Sequence, residues 1–110
     1  MSQTSTTATF ESLGCWKDDL PRAITADLED IINPSNLYDE HYKRRSNVVQ
    51  KCFKAALSQG KTVFAIQDGG QCFSSNSAQV TYKKYGSSNE CVEGKGGPMA
   101  NDVYEIKVQN

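Results

Sequence analysis

Four cysteines, at positions 15, 52, 72 and 91, constrain this chain more than any other feature. Gaps of 36, 19 and 18 residues separate them, so none forms the closely spaced pair of a zinc knuckle or a redox motif. The only histidine is His41, which further argues against a structural zinc site. Two disulfides, and with them an extracellular setting, are the better reading. Such staples suit a chain of 110 residues with only 37% hydrophobic residues, long enough for one core but lean in apolar material.

Charge and hydropathy narrow the partners. A formal net charge of −1 gives no general electrostatic hold on nucleic acid or an anionic membrane. The basic cluster Lys43-Arg44-Arg45 follows Asp39 and Glu40 and reads as a solvated, mixed-charge approach to a helix. No run of about 18 apolar residues is present, so no membrane insertion is expected. The polar start, MSQTSTTATF, lacks the apolar stretch of a signal peptide. Residues 1–7 read as a flexible leader and 8–110 as a single domain.

Hydrophobic periodicity predicts an α+β fold. Ala8 to Trp16 is a short, mildly β-prone segment, and Asp18, Asp19 and Pro21 mark a turn. Leu28 to Ile32 fits either a turn of helix or a short strand. The clearest element is a helix over 47–59, with Ser46 as N-cap and Gly60 as its stop. Val48, Val49, Cys52, Phe53, Ala56 and Leu57 form its apolar stripe. Thr62 to Gln67 is a strand buried on both faces, Asp68-Gly69-Gly70 a hairpin turn, and Gln71 to Ser74 the return strand. A long polar stretch from Ser75 to Gly97 follows. The alternation from Asp102 to Val108 then predicts a half-exposed last strand, with Tyr104, Ile106 and Val108 on one side. One central helix on a small antiparallel sheet, with long loops, is the expected architecture.

Catalytic constellations are not evident. A triad would have to use His41, which lies in the charged stretch DEHYKRR. Paired cysteines leave no thiolate nucleophile. Asp18-Asp19 and Asp39-Glu40 fall in turn-like sequence, and adjacent side chains diverge. Gly94-Lys-Gly-Gly-Pro98 lacks phosphate-loop spacing and reads as a turn before the last strand. We therefore expect no enzyme and no cofactor. The loops between Asp68 and Asp102 carry instead what sugar binding requires, namely amides, carboxylates and lysines with aromatic rings among them. Asp68, Gln71, Tyr85, Asn89, Lys95, Asn101 and Asp102 are the candidate carbohydrate-binding residues, because an antiparallel sheet can bring the hairpin and the start of the last strand together. Trp16, beside Cys15, reads as packing against a disulfide rather than as a stacking platform.

A resemblance joins these segments. Leu13-Gly-Cys-Trp-Lys-Asp18, Arg22-Ala-Ile24, Cys52 on its helix, Thr62-Val-Phe-Ala-Ile-Gln-Asp-Gly-Gly-Gln-Cys72 and the close Asn101-Asp-Val-Tyr-Glu-Ile106 together resemble a WSC domain. The resemblance covers about Phe10 to Phe73 plus the last strand. It is nearest to cysteine-poor segments of secreted invertebrate lectin and adhesion proteins. It implies a PAN/apple-related fold and a non-catalytic carbohydrate-binding module, with galactose-type glycans the first ligands to consider. The family usually has eight cysteines against four here, and Cys72-Phe-Ser-Ser75 stands where it has cysteine-x-cysteine-glycine. A protein–protein adhesion or scaffold module is the alternative. Lectins gain avidity by self-association, so a homo-oligomer fits either reading.

Of the three connectivities open to four cysteines, Cys52–Cys72 and Cys15–Cys91 are expected. Cys52 points from the helix towards the strand that carries Cys72. Cys15 ends the first strand, and Cys91 shortly precedes a last strand able to pair with it.

Overall fold

The computed structural model describes residues 7–32 and 42–109. His41 and all but the last residue of the expected leader lie outside them. Five antiparallel strands form one sheet: β1 (Thr7–Lys17), β2 (Ala26–Asp27), β3 (Val63–Gln67), β4 (Gln71–Ser74) and β5 (Ala100–Gln109), in the order β1-β5-β3-β4-β2. Among the described residues three α-helices, α1 (Glu29–Ile32), α2 (Val48–Ser58) and α3 (Ala78–Thr81), and one turn of 3-10 helix (Tyr42–Arg44) accompany them. The fold is α+β, and both disulfides are as expected, Cys15–Cys91 and Cys52–Cys72.

The sheet is covered on both faces, which explains why β3 is buried along its whole length. On one face, Phe64, Ile66, Cys72, Tyr104 and Ile106 pack against Val48, Cys52, Ala55 and Ala56 of α2. Phe10, Phe53, Phe64 and Tyr104 interlock there with ring centroids 5.0–6.2 Å apart. The opposite face gathers Ile24, Val63, Ala65, Phe73, Ala78 and Val103, flanked by Leu13, Trp16 and Tyr82.

Several expectations are corrected. Asn47, not Ser46, caps α2. It takes a left-handed conformation (φ 51°) that asparagine tolerates, and its side chain makes no capping bond. Leu57 is 38% exposed, and Ala55 takes its place in the buried stripe. The polar stretch after Ser75 contains α3, because Ala78 is buried against the second face. β5 begins at Ala100, and Ala100 to Tyr104 are buried, so its first half is a central strand rather than a half-exposed one. Its neighbours β1 and β3 cover both edges. Only beyond Ile106 does it emerge, leaving Val108 55% exposed.

The cluster Lys43-Arg44-Arg45 also changes character. Arg45 is buried and makes a forked pair with Glu29 at 2.7 and 3.0 Å, and it donates to the Gly70 carbonyl at 3.0 Å. Glu29 in turn accepts from the Cys72 amide at 3.0 Å. A pair of this forked kind ties α1 to the hairpin and satisfies its buried charge.

Candidate functional site

Register decides what reaches the second face. In β1, Phe10 pairs with Ile106 and Ser12 with Tyr104, on the α2 side. A bulge between Ser12 and Gly14 then shifts the register, so that Gly14 pairs with Val103 and Trp16 with Asn101. One inserted residue moves every later side chain to the other face. Gly14, at φ +100°, allows it. Without the bulge Trp16 would point towards α2. With it, the indole lies edge-on to Tyr82, centroids 5.4 Å apart at 84°, and its Nε1 donates to the Leu13 carbonyl at 2.9 Å. Trp16 thus packs against Tyr82.

The segment after α3 carries two more partly exposed rings, Tyr82, which meets Trp16 edge to face, and Tyr85; the three together are termed the shelf. Its backbone is fastened to β1 by Lys17 N to Gly86 O (2.8 Å) and Ser88 N to Cys15 O (3.0 Å), while Asp18 N donates to Met99 O (2.8 Å) just before β5. The Cys15–Cys91 disulfide closes the same region. The Tyr85 hydroxyl donates to the Pro21 carbonyl, and the Thr81 hydroxyl to that of Ala23. Lys83 Nζ lies 5.5 Å from the Tyr82 ring centroid, and Lys84 Nζ lies 5.2 Å from that of Tyr85. Asn89 is exposed on this loop. The result is aromatic surface, amide and ammonium groups on a backbone already fixed.

Next to the shelf is a buried polar knot. Asp18 is buried rather than solvated, and its Oδ2 accepts from Arg22 and from Gln67 Nε2, each at 2.8 Å. Its Oδ1 accepts from the amides of Ala23 and Asp19, each at 2.9 Å. Gln67 Nε2 also donates to Asn101 Oδ1 at 3.1 Å, and its Oε1 accepts from Arg22 at 3.2 Å. The turn after β1, the end of β3 and the start of β5 interlock through side chains that satisfy one another, so burying Asp18, Gln67 and Asn101 is tolerated. The knot accounts for Asn101 structurally: it is 1% exposed.

The other expected site residues gather at the end of the sheet, largely through backbone. Asp68 N donates to Gly97 O at 3.0 Å and Gly69 N to Lys95 O at 2.9 Å, so hairpin and loop do meet. Gln71 faces Gln67 across the turn. The Asp68 carboxylate accepts from the Tyr42 hydroxyl at 2.8 Å and lies 3.6 Å from Lys43 Nζ. The bond to that carboxylate, with burial and its charge, holds the Tyr42 hydroxyl above its ordinary pKa. Lys95 lies 3.9 Å from Glu93. Tyr85 and Asn89 belong to the shelf instead. Among the described residues no cluster of three or more His, Cys, Asp or Glu has the arrangement of a metal site.

Asp102 is a strut. Its carboxylate accepts from the Gly96 amide at 2.8 Å, and the Tyr104 hydroxyl donates to Gly94 O at 2.7 Å. Together they hold the loop before β5. Burial raises the Asp102 pKa above its ordinary value, while the Gly96 amide opposes the shift. Burial and the nearby Asp102 charge push Tyr104 up to about 12. A raised acid pKa in the folded state favours the protonated form. The contribution is therefore fully present below the unfolded value near 3.8 and lost as pH rises through the folded value. Asp102→Asn, which retains an acceptor for Gly96, should match or exceed the parent in stability at pH 7. The parent should gain on it as the solution is acidified towards pH 3.8. Asp102→Ala should lose about 1–3 kcal/mol because the Gly96 amide is orphaned. Urea melts of the three proteins across that range test this, and a parent that weakens relative to Asp102→Asn on acidification would reverse the sign.

In comparisons with known proteins, no family model matches the chain and no curated protein sequence is similar to it.

Proposed function

We propose that this chain is a non-catalytic carbohydrate-binding module of WSC-like type, working outside the cell, and that it takes sugar on the shelf of Trp16, Tyr82 and Tyr85. The observation that carries the reading is that Trp16 at the end of β1, and Tyr82 and Tyr85 on a segment fixed to β1 by a disulfide and by backbone bonds, all keep partly exposed rings. Sugars offer apolar C–H faces to stack on rings, and hydroxyls that amides and ammonium groups bind. A fixed backbone reduces the ordering cost of binding. The WSC likeness gains physical sense from the polar knot. Asp18, Arg22, Gln67 and Asn101 come from four of the motifs that carry the resemblance, and their mutual hydrogen bonds let Asp18, Gln67 and Asn101 be buried. No helix among the described residues is long and apolar enough to cross a membrane.

A glycan array followed by calorimetric titration tests the proposal. Tyr85→Ala should weaken binding about tenfold or more and Tyr85→Phe should preserve it, since stacking needs the ring and not the hydroxyl. Asn89→Ala should also weaken it, whereas Asp68→Ala and Lys95→Ala, at the sheet end, should not. Parent protein that binds no glycan, or shelf variants that bind as the parent does, would reject the reading. The protein–protein adhesion module would then take its place.

A further inference from the structure

We infer that the sugar taken by the shelf is acidic, a carboxylated or sulfated glycan rather than a neutral one; this rests on the glycan-binding reading. The chain as a whole carries −1, but its charges are unevenly neutralised. Arg22 pairs with Asp18, Lys43 with Asp68, Arg45 with Glu29, Lys95 with Glu93 and Lys107 with Glu105. Among the described residues, no ion pair engages Lys17, Lys83 or Lys84. All three are exposed. Lys17 follows Trp16 in β1, so its side chain leaves on the opposite face of the sheet, whereas Lys83 and Lys84 border the shelf and stand over the rings of Tyr82 and Tyr85.

Their placement suits a ring with an anionic substituent. An ammonium group above a tyrosine face is attracted by the ring quadrupole, yet its long stem lets it swing aside. A sugar ring stacking on the tyrosine would displace the ammonium outward, to where a carboxylate or sulfate on that sugar would meet it. Asp19 turns its carboxylate back to the Leu20 amide at 2.8 Å. The adjoining loop has two exposed acids, Glu90, whose amide is bonded to Ser88 Oγ at 3.0 Å, and Glu93, which pairs with Lys95. Two lysines are too few to hold a phosphate polymer by counterion release, and the partly exposed rings favour a sugar.

The experiment compares the parent with Lys83→Gln/Lys84→Gln against four probes: heparin-type sulfated oligosaccharides, uronate oligosaccharides, neutral galactosides and single-stranded oligonucleotide. The parent should prefer a sulfated or uronate probe over neutral galactosides by about tenfold or more, and the preference should shrink between roughly 50 and 500 mM salt. The double variant should melt at the parent's temperature and lose that preference while retaining weak binding to neutral sugar. Equal parental affinity for neutral and acidic probes overturns this inference and leaves the glycan reading standing. Binding to no glycan at all ends both. Tight binding to oligonucleotide alone overturns both in favour of a nucleic-acid surface.

Discussion

Replacing Cys15 and Cys91 together by alanine should cost the fold about 4.5 kcal/mol, enough to leave it marginal at 37 °C. Their bridge spans a separation of 76 residues, and the loop-closure entropy it withholds from the unfolded chain grows with that length. A domain of this size has only about 5–15 kcal/mol in total. Cys52–Cys72 spans 20 residues, for which the same reckoning gives about 3 kcal/mol. Both of its cysteines are fully buried between α2 and β4, so their removal also loosens the core, and the two double variants should converge in stability. They should differ in reduction. Cys15 and Cys91 are only partly buried, so mild thiol should open their bridge first. Guanidinium melts of both double variants, with mass-spectrometric mapping after graded reduction, check this. A fully reduced protein that melts within a few degrees of the oxidised one would show that the core alone sustains the fold.

The parts of this structure legible in the sequence are those with local causes. The stripe of α2, the Asp68-Gly69-Gly70 turn and the buried run of β3 each announce themselves within about a dozen residues. They also place Cys52 beside Cys72. What the sequence concealed depends on distant partners. Asp18 reads as a turn residue because Gln67, which makes its burial tolerable, lies 49 positions away. Arg45 reads as solvated because Glu29 is 16 positions earlier. β5 reads as half exposed because alternation describes one strand and not its neighbours.

The candidate site divides along the same line. Asp68, Gln71, Lys95, Asn101 and Asp102 do converge, as antiparallel pairing implied, but Asn101 and Asp102 are consumed in holding the fold. Tyr85 and Asn89 sit instead on the shelf whose other half, Trp16, is 66 residues from Tyr82. Only the one-residue bulge before Gly14 puts that indole on the right face. Period-2 counting from Phe10 would have placed it on the other.

Gly96→Ala should be the most damaging single substitution, at about 4 kcal/mol or more. A Cβ there would lie 2.1 Å from the Ile66 carbonyl oxygen, 2.6 Å from Gln67 Cα and 2.8 Å from the Ala100 oxygen. All three are backbone atoms of central strands or of the hairpin end, so no side chain can swing away to make room. The residue also has φ +74°, a region that costs an L side chain roughly 1–2 kcal/mol by itself. Relief would require the loop to lift. That breaks the Gly96 bond to Asp102, the Asp68 bond to Gly97 and the Gly69 bond to Lys95, and it strips the buried Gly96 amide of its acceptor. Gly60 is the internal control. Its φ is +71°, but a Cβ there meets nothing within 4 Å, so Gly60→Ala should show the strain alone, about 1 kcal/mol. Denaturant melts of the two variants therefore separate steric closeness from backbone conformation. If both lose the same small amount, the close packing of the loop before β5 against β3 is wrong, and with it the strut assigned to Asp102. If Gly96→Ala fails to accumulate folded while Gly60→Ala melts just below the parent, the sheet end is as tightly closed as its hydrogen bonds imply.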